Sequence, residues 1–148
     1  MKPAQERPNP LEHRAYLALL QAHEALQVQT TEVFKAGGLT ETQFNALRIL
    51  LRQPLQTCSC QEIGDQLLKR VPDVTRLIDR MEKAGLVTRE RSAGDRRVVE
   101  IRLTAEGQRR AEALYQPLLE LHQQQFAHLS KDELGQLDRL LRTLFIER

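Results

Sequence analysis

Residues 74–107 read VTRLIDRMEKAGLVTRERSAGDRRVVEIRLTAEG, and the spacing of their apolar side chains changes partway along. Four apolar residues recur at the i, i+3, i+4, i+7 spacing of one buried helix face: Val74, Leu77, Ile78 and Met81. After Gly85, a residue type favoured in the left-handed conformation that ends helices, apolar and polar side chains alternate. This alternation predicts strands over 87–91 and 98–103, joined by a turn at 92–95. The stretch therefore predicts a helix followed by a β-hairpin.

Two capping boxes upstream predict where two further helices begin. A T-x-x-Q box at 40–43 begins a helix that ends before Pro54, and an S-x-x-E box at 59–62 begins a short one. A turn at 69–71 follows, and Pro72 is expected as the first residue of the next helix, because it has no N–H to lose there. The order helix, short helix, turn, helix and hairpin indicates a winged helix-turn-helix domain.

Long amphipathic segments flank this domain on both sides. Residues 11–36 carry an apolar face and end at a Gly-Gly pair, and Thr104 is expected to cap a helix that runs to Leu129. An S-x-x-E box at 130–133 begins a last helix rich in leucine. That helix would leave a large apolar patch in water unless it packed against another surface.

These elements predict a mainly α chain in which a central domain lies between N- and C-terminal helices. The winged helix-turn-helix DNA-binding domain, with its two-stranded β-wing, is assigned to residues 39–104. The N- and C-terminal helices, over residues 1–38 and 105–148, are assigned to a dimerisation region.

Composition narrows the class of protein further. The 148 residues suit one domain, with 41% apolar and 28% charged residues, and no apolar run is long enough to span a bilayer. The first 14 residues hold no apolar signal core, so we expect a cytoplasmic protein with no membrane partner. There is no Gly-rich phosphate loop and no G-x-S-x-G motif, so we expect neither an enzyme nor a cofactor.

The net charge of 22 − 20 = +2 is too small to indicate a nucleic-acid partner by itself. The distribution of charge is more informative, because four arginines bracket the predicted hairpin tip: Arg89, Arg91, Arg96 and Arg97. Only Glu90 and Asp95 oppose them. A basic hairpin beside a helix that fits the major groove suits the narrow, negatively charged minor groove. The pattern therefore predicts double-stranded DNA as the partner.

Two segments of this region resemble the MarR family of bacterial regulators. Residues 94–107 are similar to the family's wing signature, in which Asp-x-Arg is followed by Leu-Thr-x-x-Gly. Residues 74–87 resemble the family's recognition helix and its exit into the wing, and the resemblance extends from Leu11 over nearly the whole chain. It implies a homodimer that binds a pseudo-palindromic operator, and a repressor rather than an activator.

The resemblance also implies roles for single residues. Seven residues of the recognition helix and the preceding turn are expected to face DNA: Lys69, Arg70, Pro72, Asp73, Thr75, Arg76 and Arg80. Thr75 and Arg76 would read base edges, and a bidentate Arg–guanine contact is worth roughly 1–3 kcal/mol of discrimination. Arg80, with Lys69 or Arg70, would contact phosphates, although an ion pair on the protein surface is an alternative for Arg80.

In the wing, the resemblance implies that Arg96 or Arg97 enters the minor groove. Asp95 would pair with an arginine and hold the hairpin tip in shape. For Arg89 and Arg91, contact with DNA and a solvated hairpin face remain equal alternatives.

Members of the family commonly sense small aromatic or phenolic acids in a cleft between the dimer helices and the winged domain. Five residues are candidates for lining such a cleft: His13, Tyr16, His23, Phe44 and Arg48. A place in the core is the alternative for Phe44. An effector bound there would change the spacing of the two recognition helices.

Other functions have weaker support. Cys58 and Cys60 suggest a thiol-based redox sensor, because Cys60 lies at a helix start, but small packing residues are the favoured interpretation. The four histidines lack metal-ligand spacing, so no metal is expected. A winged domain that docks another protein is a further alternative, and it would leave the wing arginines unexplained.

Overall fold

The computed structural model describes residues 10–95 and 97–144. Within them, helices and strands follow in the order α1 (Leu11–Ala36), α2 (Glu41–Leu51), β1 (Thr57–Ser59), α3 (Cys60–Gln66), α4 (Val74–Lys83), β2 (Val87–Arg91), β3 (Val99–Leu103), α5 (Ala105–Gln125) and α6 (Lys131–Thr143). The strands form one antiparallel sheet in the order β1-β3-β2. This architecture confirms the predicted mainly α chain, in which a winged helix-turn-helix lies between long helices.

Side-chain caps begin the helices at the predicted positions. Three complete capping boxes precede α2, α3 and α6: Thr40 with Gln43, Ser59 with Glu62, and Ser130 with Glu133. Thr104 caps α5 by accepting a hydrogen bond from the Gly107 N–H at 3.0 Å. Each cap satisfies backbone donors that have no partner within their own helix.

A left-handed glycine ends α4, as predicted. Gly85 has a φ of 72°, and the Leu86 N–H then donates to the Met81 carbonyl at 2.9 Å. Gly38, with a φ of 70°, ends α1 by the same motif. A residue with a Cβ would be strained at either position, so these glycines set the direction in which the chain leaves each helix.

The prediction that Pro72 begins α4 is wrong. The helix begins at Val74, and Asp73 is its N-cap, with Oδ1 accepting the Arg76 N–H at 2.9 Å. A carboxylate at this position satisfies a free N–H and interacts favourably with the helix dipole, whereas proline only avoids leaving a donor unpaired.

Two element boundaries also differ from the prediction. The sheet has a third strand, β1, which pairs Cys58 with Ile101; its three residues are too few for an alternating pattern to be recognised. Helix α5 ends at Gln125 rather than Leu129. Its last turn tightens, because the Ala127 N–H donates to the Gln124 carbonyl at 3.2 Å, and the chain then turns into α6.

The core lies between the end of α1, helices α2, α3 and α4, the sheet, and α5 as far as Leu118. Its largest fully buried side chains are Leu47, Leu50, Ile63, Ile78, Met81, Leu86, Val87 and Ile101. In β3, Ile101 and Leu103 face this core while Val99 is 46% exposed. Helix α4 is therefore fixed by one apolar face, and its opposite face is left in solvent.

The flanking helices are only partly covered in the single chain. Helix α1 packs against α5, whereas α6 contains no buried residue. Large apolar side chains are exposed on both: Leu11, Tyr16, Leu17, Leu19, Leu20, Val28, Leu134, Leu140 and Leu144. None of the helices in the described ranges is long and apolar enough to cross a membrane.

Candidate nucleic-acid interface

The first turn of α4 presents its polar side chains to solvent. Leu77, Ile78 and Met81 are at most 2% exposed and hold the helix against the core. Thr75 and Arg76 are exposed near the helix start, and Arg80 is exposed one turn later. The two predicted base-reading residues and a predicted phosphate contact therefore share the outer surface of one helix.

The remaining predicted residues surround the start of this helix. Lys69, Arg70, Pro72 and Asp73 are all exposed. Pro72, Asp73, Arg76 and Arg80 line a groove whose other wall is the first turn of α2. Because the Asp73 carboxylate is bound to a backbone N–H, its role in the structure is that of a cap.

Gly64 in α3 is a contributor that sequence reasoning missed. A Cβ placed on Gly64 would lie 2.9 Å from Cγ2 of Val74. Side-chain carbons do not approach this closely, so only glycine lets α3 pack against the start of α4 at the observed distance. The sequence does contain a signal for this contact, because a glycine inside a short helix is unfavourable unless close packing requires it.

The wing turn is shaped by Asp95. Its Oδ1 accepts the Arg97 backbone N–H at 2.9 Å, and its carbonyl accepts the Val98 N–H at the same distance. Arg91 and Arg97 are exposed on the hairpin, and Arg96 lies outside the described residues. The pairing of Asp95 with an arginine side chain stays a prediction.

Arg89 is held away from the hairpin tip. Its guanidinium donates to Asp79 at 2.5 Å and to Glu82 at 2.6 Å, both on α4. Burial alone would lower the pKa of Arg89, but hydrogen bonds to the two carboxylates keep this pKa above its usual value. The structure thus places Arg89 against the recognition helix, whereas Arg91 and Arg97 remain on the open face of the wing.

Arg102 stabilises the wing from the neighbouring strand. Its Nε donates to Glu90 at 2.7 Å across the strand pair, and its Nη1 donates to the Leu55 carbonyl at 3.3 Å. The pair neutralises Glu90, one of the two acidic residues near the wing arginines. Cross-strand pairs of opposite charge favour the observed strand register.

The L-T-x-x-G segment joins the wing to α5 through close backbone contacts. The Thr104 hydroxyl donates to the Gly85 carbonyl at 2.6 Å, and the Thr104 N–H donates to the Leu86 carbonyl at 3.2 Å. A Cβ on Gly107 would collide with that same Leu86 carbonyl. The motif therefore ties the start of α5 to the turn at which α4 passes into the wing.

A separate cleft of about 250 Å³ lies between α1, α2 and α5. It includes His23 and Phe44 from the predicted set, but not His13, Tyr16 or Arg48. Phe44 also belongs to the core, where its ring centroid lies 5.4 Å from that of Phe34. The cleft prediction and the core alternative are therefore compatible for this residue.

Asn45 is the cleft residue that sequence reasoning missed. It is only 6% exposed, and no hydrogen bond joins its side-chain amide to the described residues, although its polar atoms are not fully buried. An amide in a cleft wall can both donate and accept hydrogen bonds, so Asn45 is a ready contact for a polar ligand. His122 and Gln125 of α5 also line the cleft.

Arg48 lies one helical turn beyond Asn45, outside the cleft lining. Its Nε is buried without a hydrogen-bond partner in the described chain. Burial and the charge of Arg52 lower the pKa of Arg48, against the opposing effect of Tyr115. The structure therefore separates Arg48 from the ligand cleft predicted for it.

The two cysteines have different surroundings. Cys58 is buried in β1, and burial, with smaller effects from Glu62 and Cys60, raises the pKa of its thiol to about 11. Cys60 is half-buried in the first turn of α3. A raised pKa keeps Cys58 protonated, which disfavours the reactive thiolate that redox sensing needs.

Comparison with known proteins agrees with this geometry. The family model described as MarR family matches residues 39–99. The chain is 32% identical over 125 residues to the homoprotocatechuate degradative operon repressor of Escherichia coli, covering 84% of this chain and 83% of that protein. It is 33% identical over 93 residues to the HTH-type transcriptional regulator FarR of Neisseria gonorrhoeae, covering 63% of this chain and 62% of that protein.

The fold recurs in a solved structure of BpsR from Bordetella bronchiseptica, with a TM-score of 0.84 and 22% identity over 96% of this chain and 100% of that one. The exposed recognition helix and the arginine-bearing wing define a winged helix-turn-helix DNA-binding regulator. By its sequence relatives, the chain belongs to the MarR family. It is therefore a transcriptional regulator and not an enzyme.

Proposed function

We propose that the chain acts as a homodimer that represses transcription by binding a pseudo-palindromic operator. The supporting observation is the placement of Thr75 and Arg76 on the outer face of α4, next to a wing that exposes Arg91 and Arg97. A helix of this kind fits the major groove, and the wing then reaches the adjacent minor groove.

The flanking helices support the homodimer. Helix α6 buries none of its residues in the single chain, yet it exposes Leu134 and Leu140, and its C-cap Leu144 is exposed as well. The first half of α1 exposes a second set of large apolar side chains. Apolar faces of this extent are expected to pack against a second copy, over residues 1–38 and 105–148. Twofold symmetry would then place the recognition helices roughly 34 Å apart, one turn of DNA.

The cleft between α1, α2 and α5 is the proposed effector site. Its wall combines aromatic rings with the unpaired Asn45 amide, which suits a small aromatic molecule carrying a hydroxyl or another hydrogen-bonding group. The related repressor is named for a homoprotocatechuate operon, and DNA binding by BpsR is regulated by 6-hydroxynicotinic acid. An effector that preferred the DNA-incompetent spacing of the two winged domains would release the operator.

Two alternatives are less well supported. Redox sensing through Cys58 and Cys60 is disfavoured by the raised pKa of Cys58. A winged domain that docks another protein predicts no salt-dependent DNA binding, and it gives no role to the exposed wing arginines. We place the regulator in the cytoplasm, where bacterial DNA is accessible to it.

The proposal is tested by fluorescence anisotropy with the DNA upstream of the chain's own gene and with a random duplex of equal length. Measurements at several salt concentrations separate phosphate contacts from base readout. Tight binding to the upstream DNA alone, with a steep salt dependence, supports a sequence-specific regulator. Equal and weak binding to both duplexes, together with no site enriched from a random library, overturns it.

A further inference from the structure

Four groups join the recognition helix to the wing in what we name the α4–β2 clasp: Arg89, Asp79, Glu82 and the Thr75 carbonyl. The Arg89 guanidinium donates to Asp79 at 2.5 Å and Glu82 at 2.6 Å, and its Nη2 also lies 3.5 Å from the Thr75 oxygen. The Arg89 backbone N–H donates to the other Glu82 oxygen at 3.2 Å. Glu82 is thus bound by both the side chain and the main chain of one wing residue.

The clasp lies where the hairpin leaves the core. In β2, Val87 is buried and Arg89 is half-buried, while Thr88, Glu90 and Arg91 are exposed. Among the β2 residues after Val87, Arg89 is therefore the one whose side chain packs against a helix. Because the hairpin tip lies further along the same strand, a small rotation at Arg89 becomes a larger displacement of the wing arginines.

The clasp also offsets negative charge on the recognition helix. Asp79 and Glu82 are 48% and 39% exposed, on the helix that carries Thr75 and Arg76. Two uncompensated carboxylates there would repel the phosphates of a bound duplex. Exposed ion pairs contribute little to folding stability. The clasp is therefore expected to matter for the orientation of the wing and for the charge of α4, and less for the stability of the fold.

We propose that Arg89 is a positioning residue that determines operator specificity by fixing the wing relative to α4. Arg89 acts through its ion pairs with Asp79 and Glu82, and it makes no contact with a phosphate. This inference rests on the proposed operator binding. It adds that base readout by α4 and minor-groove binding by the wing depend on one another through the clasp.

Substitution by lysine separates the clasp from a direct phosphate contact. Lysine keeps the positive charge, which suffices for a phosphate, but its single ammonium cannot reproduce the planar fork that spans two carboxylates. Both Arg89→Ala and Arg89→Lys are expected to lower the ratio of operator to random-duplex affinity by roughly tenfold. At the exposed Arg70, which is a predicted phosphate contact, lysine is expected to recover most of the affinity that alanine loses.

A second pair of variants leaves Arg89 in place. Glu82→Gln removes the most heavily used carboxylate of the clasp, whereas Asp65→Asn removes an equivalent charge from an exposed position of α3. Removal of either negative charge is expected to raise affinity for any duplex, because it lessens repulsion of the phosphates. Only Glu82→Gln is expected also to lower the ratio of operator to random-duplex affinity.

The outcomes are distinct. If Arg89→Lys binds as the unmodified chain does while Arg89→Ala loses affinity and its salt slope falls by about one, Arg89 contacts phosphate and the clasp inference is overturned. It is also overturned if Glu82→Gln and Asp65→Asn give the same ratio. If the unmodified chain itself does not distinguish operator from random DNA, the proposed function fails instead. Circular dichroism melting curves verify that each variant is folded.

Discussion

At the scale of single residues, Arg76 and Arg70 are expected to bind different parts of a duplex. Arg76 is exposed in the first turn of α4, where side chains reach base edges, and Arg70 is exposed in the turn before that helix. Arg76→Ala should cost about 1–3 kcal/mol of binding free energy on the operator and relax specificity at one base pair. The measurement is anisotropy against operators with single base changes.

Arg70→Ala should weaken binding to operator and random duplexes alike. Loss of one phosphate contact is expected to make the slope of log affinity against log salt shallower by about one. Arg142→Ala on α6, where Arg142 pairs with Asp138, is a control away from the proposed DNA-binding surface. A base-specific loss in Arg70→Ala, or no loss in both Arg70→Ala and Arg76→Ala, would contradict the predicted roles.

The unpaired amide of Asn45 gives a prediction for the cleft. Asn45→Leu replaces a polar side chain in the cleft wall by an apolar one of similar size, so the chain should stay folded, with stability changed by less than about 1 kcal/mol. The same change should abolish release of the operator by homoprotocatechuate or 6-hydroxynicotinic acid, whichever acts on the unmodified chain. Thr31→Val, outside the cleft lining, is the control. An unchanged effector midpoint in Asn45→Leu would exclude this contact.

Cys58 should make stability fall at alkaline pH. Its pKa in the folded chain is raised to about 11 from an ordinary value of 9.0. A raised folded pKa stabilises the chain fully below pH 9, and this contribution is lost as pH rises towards 11. Denaturation by urea should therefore show stability decreasing over this window, and less steeply in Cys58→Val. Iodoacetamide at pH 8 should modify Cys60 first; faster modification of Cys58 would contradict its burial.

At the scale of elements, the junction of wing and α5 depends on Gly107. A Cβ at this position collides with the Leu86 carbonyl, so Gly107→Ala should lower the free energy of unfolding by about 1–3 kcal/mol. Gly135→Ala is a matched control in α6, since no described atom lies within 4 Å of its added Cβ. There, alanine should raise stability by about 0.5–1 kcal/mol through its helix propensity. Equal effects at both sites would refute the close approach.

At the scale of the whole molecule, the dimer should depend on the leucines of α6. Leu134 and Leu144 are exposed in the single chain, so replacing both by glutamate should leave the chain folded but monomeric. The monomer should bind the operator weakly, because it engages one half-site only. Light scattering after gel filtration measures the mass. Leu55→Glu, at an exposed leucine between α2 and β1, should remain dimeric. A stable monomer in the unmodified chain would overturn the dimer.

The predictions that the structure confirms depend on contacts between residues that lie close together in the sequence. The capping boxes and Gly85 were identified correctly, because a cap bonds to a backbone group three residues away and its signal lies within one short window. The outward placement of Thr75 and Arg76 also followed, since one apolar stripe fixes the orientation of a whole helix. The prediction for Pro72 is wrong because Asp73, which follows it, is also a residue type favoured at helix starts and acts as the N-cap.

The features that sequence reading missed join residues far apart in the chain. Strand β1 exists because Cys58 pairs with Ile101, and the cleft exists because α2 packs across from α5. Residue types alone therefore determined the helices, the hairpin and the solvent-exposed face of α4. Tertiary structure decided that Arg89 binds α4 and that Asn45 is left unpaired in a cleft, since such contacts depend on side chains that only the packed fold brings within hydrogen-bond distance.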